Sequence, residues 1–313
     1  MSFELSSHSE PRERFMAVYG FWLKVMAISM AALTVFFFSS ERAWAHGRYI
    51  LPSHTVLSGD KAQSVTLIAS ISNDFFHPDR PMANNAQGVD PGPMLRGLFN
   101  SLDTHAVSPS GELSPMSWQA FARASVADLT LSEEGTYRVS MVQTDSLMTT
   151  FVEPEGKFNR IFGPSPMIPD DAQDVAQFAV NARVDSFMTR NQLNQKAWLP
   201  QGVGLELTGD THINDVFANE PVAFQLMLNG KPLTQSIETT WIRGGTRHRN
   251  DRQPLKVASR ADGKLSFVFP EAGYWALEAD IAVAPKEGES IEQRYYSLYL
   301  TLEVFPELSL IHI

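Results

Sequence analysis

From residue 46 onward the chain is made of short runs rich in Val, Ile, Thr, Tyr and Phe, broken by Gly, Pro, Asn and Asp. No other feature constrains its fold as strongly. β-Branched and aromatic side chains suit a pleated, half-buried surface, and the residues between the runs supply turn conformations. Strands are expected at 48–51, 64–72, 125–129 and 136–144, then at 177–189, 203–208, 221–228, 236–243, 263–269, 273–281 and 294–305. Asn229-Gly230 and Asp262-Gly263 are hairpin dipeptides, since both tolerate positive φ. The Pro, Gly and Asn density from Phe75 to Pro115 implies long loops around one weak strand. Residues 151–174, with Pro154, Pro164, Pro166 and Pro169, read as a connector without regular structure. The expected fold is all-β: two antiparallel, immunoglobulin-like β-sandwich domains over 46–150 and 175–306.

The first 45 residues have a different character. Arg12, Arg14 and Lys24 precede the apolar run Val25–Phe38, a polar stretch Ser39–Arg42 follows, and Ala43-Trp44-Ala45 is a small-x-small cleavage site. The apolar run falls short of the roughly 20 residues that span a bilayer. Residues 1–45 are thus expected to be a signal peptide, and the mature chain to begin at His46 in the periplasm of a Gram-negative envelope. Residues 307–313 fall outside every pattern and read as an artefactual or disordered tail.

The balance of residues narrows the partners. A chain that is 43% hydrophobic and 19% charged can bury sizeable cores. The leader carries as many basic residues (Arg12, Arg14, Lys24, Arg42) as acidic ones (Glu4, Glu10, Glu13, Glu41), so the formal charge of −10 survives its removal. Nucleic acid is not an expected partner, because a phosphate-tracking surface needs clustered Lys and Arg. A surplus of acid suits a protein that collects cations. The chain has no cysteine, which removes thiolate metal sites and Cys nucleophiles.

An amino-terminal His46 would offer an α-amine and an imidazole from one residue, enough to close a chelate ring on a divalent ion. The α-amine has an ordinary pKa near 7.7–8.0, so protons compete for it less than for Lys. Nitrogen donors of this kind suit Ni, Co, Cu and Zn, with Fe also open. His77, in Asn73-Asp-Phe-Phe-His-Pro-Asp79, could add a donor, with Asp79 or Asp74 orienting its ring. His212, in Asp210-Thr-His-Ile-Asn-Asp215, is the other candidate, with Asp215 as oxygen or supporting donor; a loop-stabilising turn is the competing reading. His54 lies beyond Pro52, His105 sits in a loop, and His248 is flanked by Arg247 and Arg249. With Arg243 and Arg252 these arginines could clamp a carboxylate or phosphate, such as a small metal chelate, although a solvated hairpin is the plainer reading. Expected partners are therefore a metal ion or small chelate, with a membrane metal transporter or outer-membrane receptor downstream.

The residues resemble a known family. The mature start His46-Gly-Arg-Tyr-Ile-Leu-Pro-Ser-His-Thr-Val-Leu-Ser-Gly59, then Ala69-Ser-Ile-Ser-Asn-Asp-Phe-Phe-His77, is similar to domain of unknown function 4198. Thr211-His-Ile-Asn-Asp215, Leu228-Asn-Gly-Lys-Pro-Leu233, Gly244-Gly-Thr-Arg-His-Arg249 and Pro270-Glu-Ala-Gly-Tyr-Trp275 follow the same family's order. The chain departs from it at Gly47, where members usually carry a larger residue. The resemblance implies a periplasmic protein related to nickel and cobalt uptake.

Enzymatic readings are weaker. No G-x-S-x-G elbow, Walker loop or dinucleotide fingerprint occurs, and the chain is expected not to be an enzyme. The alternative with a physical foothold is a histidine-brace copper oxidase acting on polysaccharide. A metal-free carbohydrate-binding or adhesion module, stacking sugars on Trp118, Trp198 and Trp241, is the third reading.

Overall fold

The computed structural model describes residues 47–82, 87–88, 99, 102–163, 167–245 and 253–307; the expected leader, His46 and residues 308–313 of the expected tail lie outside them. In chain order the strands are β1 (Gly47–Pro52), β2 (Val56–Leu57), β3 (Gln63–Ser72), β4 (Arg80–Pro81), β5 (Gln87–Gly88), β6 (Leu102–Val107), β7 (Leu113–Pro115), β8 (Gln119–Ala120), β9 (Ser125–Leu131) and β10 (Gly135–Val152). They continue as β11 (Phe158–Phe162), β12 (Gln173–Arg190), β13 (Leu205–Gly209), β14 (Pro221–Leu228), β15 (Lys231–Pro232), β16 (Glu238–Arg243), β17 (Leu255–Ala258), β18 (Lys264–Val268), β19 (Gly273–Val283) and β20 (Gln293–Val304). The chain is all-β, as its alternation requires.

Three sheets form. The largest has ten strands, in the order β17-β16-β19-β20-β12-β10-β6-β7 with β11 beside β10 and β2 beside β12. A six-stranded sheet, β1-β3-β9-β8-β5 with β4 on β3, packs on one face of it, and a four-stranded sheet of β13, β14, β15 and β18 packs on the other. The period of two along each strand produces this layering. On β10 and β12, Tyr137, Val139, Met141, Val184 and Met188 enter the first core together with Tyr49, Ile50, Leu67 and Trp118. On β19, Trp275, Leu277, Ala279 and Ile281 enter the second core, while Ala276 points to the first. The second core centres on Trp241, fully buried among Phe224, Phe267 and Phe269, with ring centroids 5.2–6.0 Å away.

One expectation is corrected. Residues 151–174 are not an irregular connector, for β10 runs to Val152, turns back as β11 and is rejoined by β12 from Gln173. Pro154 occupies the hairpin turn, closed by Glu153 N–H to Lys157 O at 2.9 Å, and Pro169 the next turn, where Ala172 N–H reaches its carbonyl at 3.1 Å. These prolines end strands without preventing them. Most pairings are antiparallel, as expected. β12 pairs with β10 antiparallel and with β20 in parallel from Phe178↔Gln293 to Ser186↔Thr301, so one sheet runs through the expected boundary.

Asn229-Gly230 turns as expected, with φ of 50° and 78° at the two residues and Leu228 opposite Lys231. Trp118, Trp198 and Trp241 are all buried, at 3%, 0% and 0% exposure, and present no sugar-stacking face.

Candidate metal centre

β1 begins at Gly47, which pairs with Ser72 at the end of β3. The start of β1 therefore lies beside the loop that follows Ser72, the loop that carries His77 and Asp79. A Cβ on Gly47 would stand 2.5 Å from Cζ of Phe75 and 3.0 Å from Oε1 of Glu278. Glycine is required because the Phe75 ring occupies the space where a side chain would project.

The 72–79 loop is tightly organised. His77 N–H bonds to Asp74 O at 3.2 Å, closing a turn whose third residue, Phe76, has φ of 67°. Positive φ at that position is the signature of a type II turn, where Gly or Asn normally stands. A phenylalanine there is strained, at a cost on the order of 1–3 kcal/mol. Its ring is held by Tyr49 (5.4 Å), Phe75 (6.0 Å) and Tyr274 (6.1 Å), and it lies so close to Gly244 that a Cβ there would be 2.9 Å away. Ser72 Oγ is the hub beneath, in hydrogen-bond contact with the carbonyls of Asp74 and His77 and with Asp79 Oδ2. Asp79 Oδ2 also accepts from Asn73 N–H at 3.0 Å. Asp79 thus orders the loop rather than extending toward a ligand.

His77 differs. Its Nε2 is buried without a hydrogen-bond partner, and the nearest carboxylate oxygen, on Asp74, is 3.9 Å away. A buried polar atom with no partner costs free energy unless something fills the vacancy. An imidazole nitrogen in that position fits a metal's needs as a donor.

His212 belongs elsewhere. Asn214 N–H donates to its Nδ1 at 3.1 Å, so Nε2 carries the proton and donates to Asn194 O at 3.0 Å, with Thr136 Oγ1 at 3.2 Å. Both nitrogens are committed, as the loop-stabilising reading expected. Asn214 Nδ2 in turn bonds Thr55 O, beyond the Pro52 end of β1. Five residue steps separate Gly47 from Pro52, about 17 Å in a strand, so His77 and His212 do not meet on one ion. Asp215 is exposed on the turn closed by its N–H to His212 O at 2.9 Å.

Burial holds the His212 pKa below its ordinary value, against the opposing pull of the Asn194 carbonyl and of Asp215. A depressed histidine favours folding above its unfolded pKa near 6.5, and that contribution is lost as pH falls. His212→Ala is expected to destabilise the protein by about 1–3 kcal/mol at pH 7.5 through the partners it strands. It should also flatten the loss of stability between pH 7 and 5 and leave metal affinity unchanged. Urea unfolding at the two pH values, alongside a metal titration, checks all three.

The remaining candidates are placed as follows. His54 is exposed, with Nδ1 3.2 Å from Ser53 Oγ. His105 is buried between Asp103 (2.7 Å) and Gln201. Arg243 is bound to Ala272 O and Glu271, at 2.9 and 2.8 Å, and is no open clamp. Arg247, His248, Arg249 and Arg252 lie outside the described residues. Among the described residues no group of three or more His, Asp or Glu side chains is gathered as a ready metal site.

Fold and loop together define an all-β chain whose first strand starts at an aromatic-walled histidine turn. The chain belongs to the family described as Domain of unknown function (DUF4198), which it matches over residues 43–283. No curated protein matches it. Among solved structures it is similar to the D0-D1 domain of Intimin, at 11% identity over 82% of this chain and 97% of that one, with a TM-score of 0.21. It is similar too to a DUF4785 family protein from Legionella pneumophila, at 10% identity over 74% and 50% of the two chains, TM-score 0.21. Trypsin-activated alpha-2-macroglobulin from Escherichia coli matches at 8% identity over 84% of this chain and 16% of that one, TM-score 0.21. Likenesses at these scores carry no functional argument.

Proposed function

We propose that this chain is a periplasmic accessory protein that binds a divalent transition metal for uptake or homeostasis, nickel or cobalt first, with copper, zinc and iron in the same donor range. The ion is its cargo, gripped by the α-amine and imidazole of His46 after removal of residues 1–45 and by His77. A membrane transporter or outer-membrane receptor would take the ion onward.

The observation that supports this reading is the pairing of Gly47 with Ser72 at the head of the loop that carries His77, whose Nε2 is buried without a hydrogen-bond partner. The strained Phe76 supports the same reading, because backbone strain concentrates where a ligand site must be held in shape.

The test is calorimetric titration of protein beginning at His46 against protein with one extra residue ahead of it. The extension converts the amine to an amide, which has no free lone pair for the ion. Affinity is expected to fall more than about tenfold, as loss of even a supporting group at a metal site does. Equal affinities for every metal tried would end the proposal.

A further inference from the structure

We propose that the outer edge of β9 docks an extended peptide segment of another protein, which joins the six-stranded sheet as one more strand and carries an apolar side chain two residues from a basic one. The proposal goes beyond metal binding and does not depend on it.

β9 is paired along its length on one side only. β3 covers that side from Gln63↔Leu131 to Ala69↔Ser125 without a register shift. On the other side β8 reaches just Ser125 and Val126, and among the described residues no strand pairs with β9 beyond them. The hairpin fixes which way the backbone groups point. Phe121 N–H donates to Ala124 O at 2.7 Å, and hydrogen-bonded pairs in an antiparallel ladder recur at every second residue. Val126, Asp128 and Thr130 therefore turn their N–H and C=O groups away from β3. Their side chains agree: Thr66 Oγ1 donates to Asp128 Oδ1 at 2.7 Å, and Ser64 Oγ lies 3.3 Å from Thr130 Oγ1. Such close approach marks the non-hydrogen-bonded pairs. Val126 is met by Gln119 of β8, which leaves Asp128 and Thr130 turning ladder groups toward an edge with no described strand opposite.

Where β8 parts from β9 lies a cleft of about 550 Å³, within the range of ligand-binding clefts, bordered by Trp118, Phe121, Val126 and Asp128. Phe121 is 53% exposed, whereas Ala120 beside it is buried, so the ring stands on the outer face of the sheet. Residues two apart on an incoming strand share one face. One of them would lie over Phe121 and Val126, and the other would meet the Asp128 carboxylate.

Charge selects the occupant. Asp128 is exposed, and its carboxylate bonds only Thr66 among the described residues. On a chain of formal charge −10 it favours a basic side chain opposite. A second copy of this chain is disfavoured, because pairing two β9 edges would set one Asp128 near the other. Other edge strands are blunted: β17 carries Lys256, β18 carries Lys264 and β7 carries Pro115. Lys and Pro are common guards against strand addition. From Ala127 to Leu131, β9 has neither and keeps a regular register. Main-chain bonds would give the added strand its affinity, and the cleft its selectivity.

The experiment selects binders for the purified full chain from a random octapeptide library displayed on phage, then measures the enriched peptides by fluorescence anisotropy. T130P removes an outward N–H and leaves the ladder to β3 intact, a change that an edge strand tolerates. Enriched peptides are expected to carry an apolar residue two positions from Lys or Arg. They should bind T130P about five- to tenfold more weakly. F121A should cost about tenfold, as loss of an aromatic anchor does, and D128N about threefold, the effect of one exposed charge pair. D128K should turn the selection toward acidic peptides. Peptides that bind T130P and F121A as tightly as the unsubstituted chain dock elsewhere and overturn the proposal. So does a library without enrichment, or sedimentation showing a dimer that T130P splits, since the edge would then belong to a second copy. Circular dichroism checks each fold. Should T130P fail to fold, F121A and D128K, both at exposed positions, decide by the same criteria.

Discussion

Glu206→Ala is expected to lose about 3–5 kcal/mol of stability, the usual result of leaving buried charge without its counterpart. Glu206 is fully buried between two guanidinium groups, Arg138 at 3.7 Å and Arg183 at 3.5 Å. It also accepts the N–H groups of Gln201 and Gly202, at 2.8 and 2.7 Å. Asp185 completes the cluster, 2.7 Å from Arg183 Nε and 2.6 Å from Ser140 Oγ. Burial alone would raise the Asp185 pKa, but Arg183, Arg138 and the hydrogen bonds outweigh it and hold the group ionised. Two cations therefore face two anions on the second-core face of β10 and β12. Removing Glu206 leaves an excess positive charge where water does not reach. At about 2–4 °C per kcal/mol for a chain somewhat smaller than this one, the melting temperature should fall by roughly 10 °C. The control is Glu238, whose ion pair with Lys256 is shorter, at 2.9 Å, with both side chains more than half exposed. Glu238→Ala should cost less than about 1 kcal/mol, since solvent screens that pair. If the two substitutions shift the urea midpoint equally, the buried cluster does not hold the layers together as described.

The same cluster explains why the strands were legible and the layering was not. Along β14, Val222, Phe224 and Leu226 alternate with partly exposed residues, and the strand lies at 221–228 as its sequence indicates. On β12, Arg183 and Asp185 alternate with Val184 in the same manner, which in a sandwich would mark a solvent-facing side. They are instead sealed against each other and against Glu206 and Arg138, so both faces of β12 are buried. Alternation shows that a strand has two unlike faces; it cannot show that the polar face meets matching charge instead of water. The parallel pairing of β12 with β20 is hidden for a related reason, because partner choice over a hundred residues leaves no local trace.

At the site, His77 was legible by residue type. Phe76 was not, since nothing about a phenylalanine announces positive φ. His212 shows the opposite failure: Thr, Asn and Asp around a histidine suggest ligands, yet the fold spends those polar groups on fixing the ring.

Expressed separately, residues 46–163 and 167–306 are expected not to fold, and the whole described body should unfold in a single transition. β10 and β12 pair from Gly135↔Arg190 to Val152↔Gln173, so a cut between them removes each strand's longest partner. The first piece would lose Val184, Met188, Ile242, Ala276 and Tyr299 from its core. The second would keep its own core but expose those same apolar side chains, along with Arg183 and Asp185 deprived of Arg138 and Ser140. Both pieces would also present a long unpaired strand edge, which promotes aggregation. Calorimetry of the intact chain should give a van't Hoff enthalpy close to the calorimetric one, the mark of all-or-none unfolding. A sharp, reversible melt from either piece, or two resolved transitions in the whole, would show that the shared sheet does not couple the cores. The coupling follows from the register: a strand whose two faces line different cores cannot leave one of them without exposing the other.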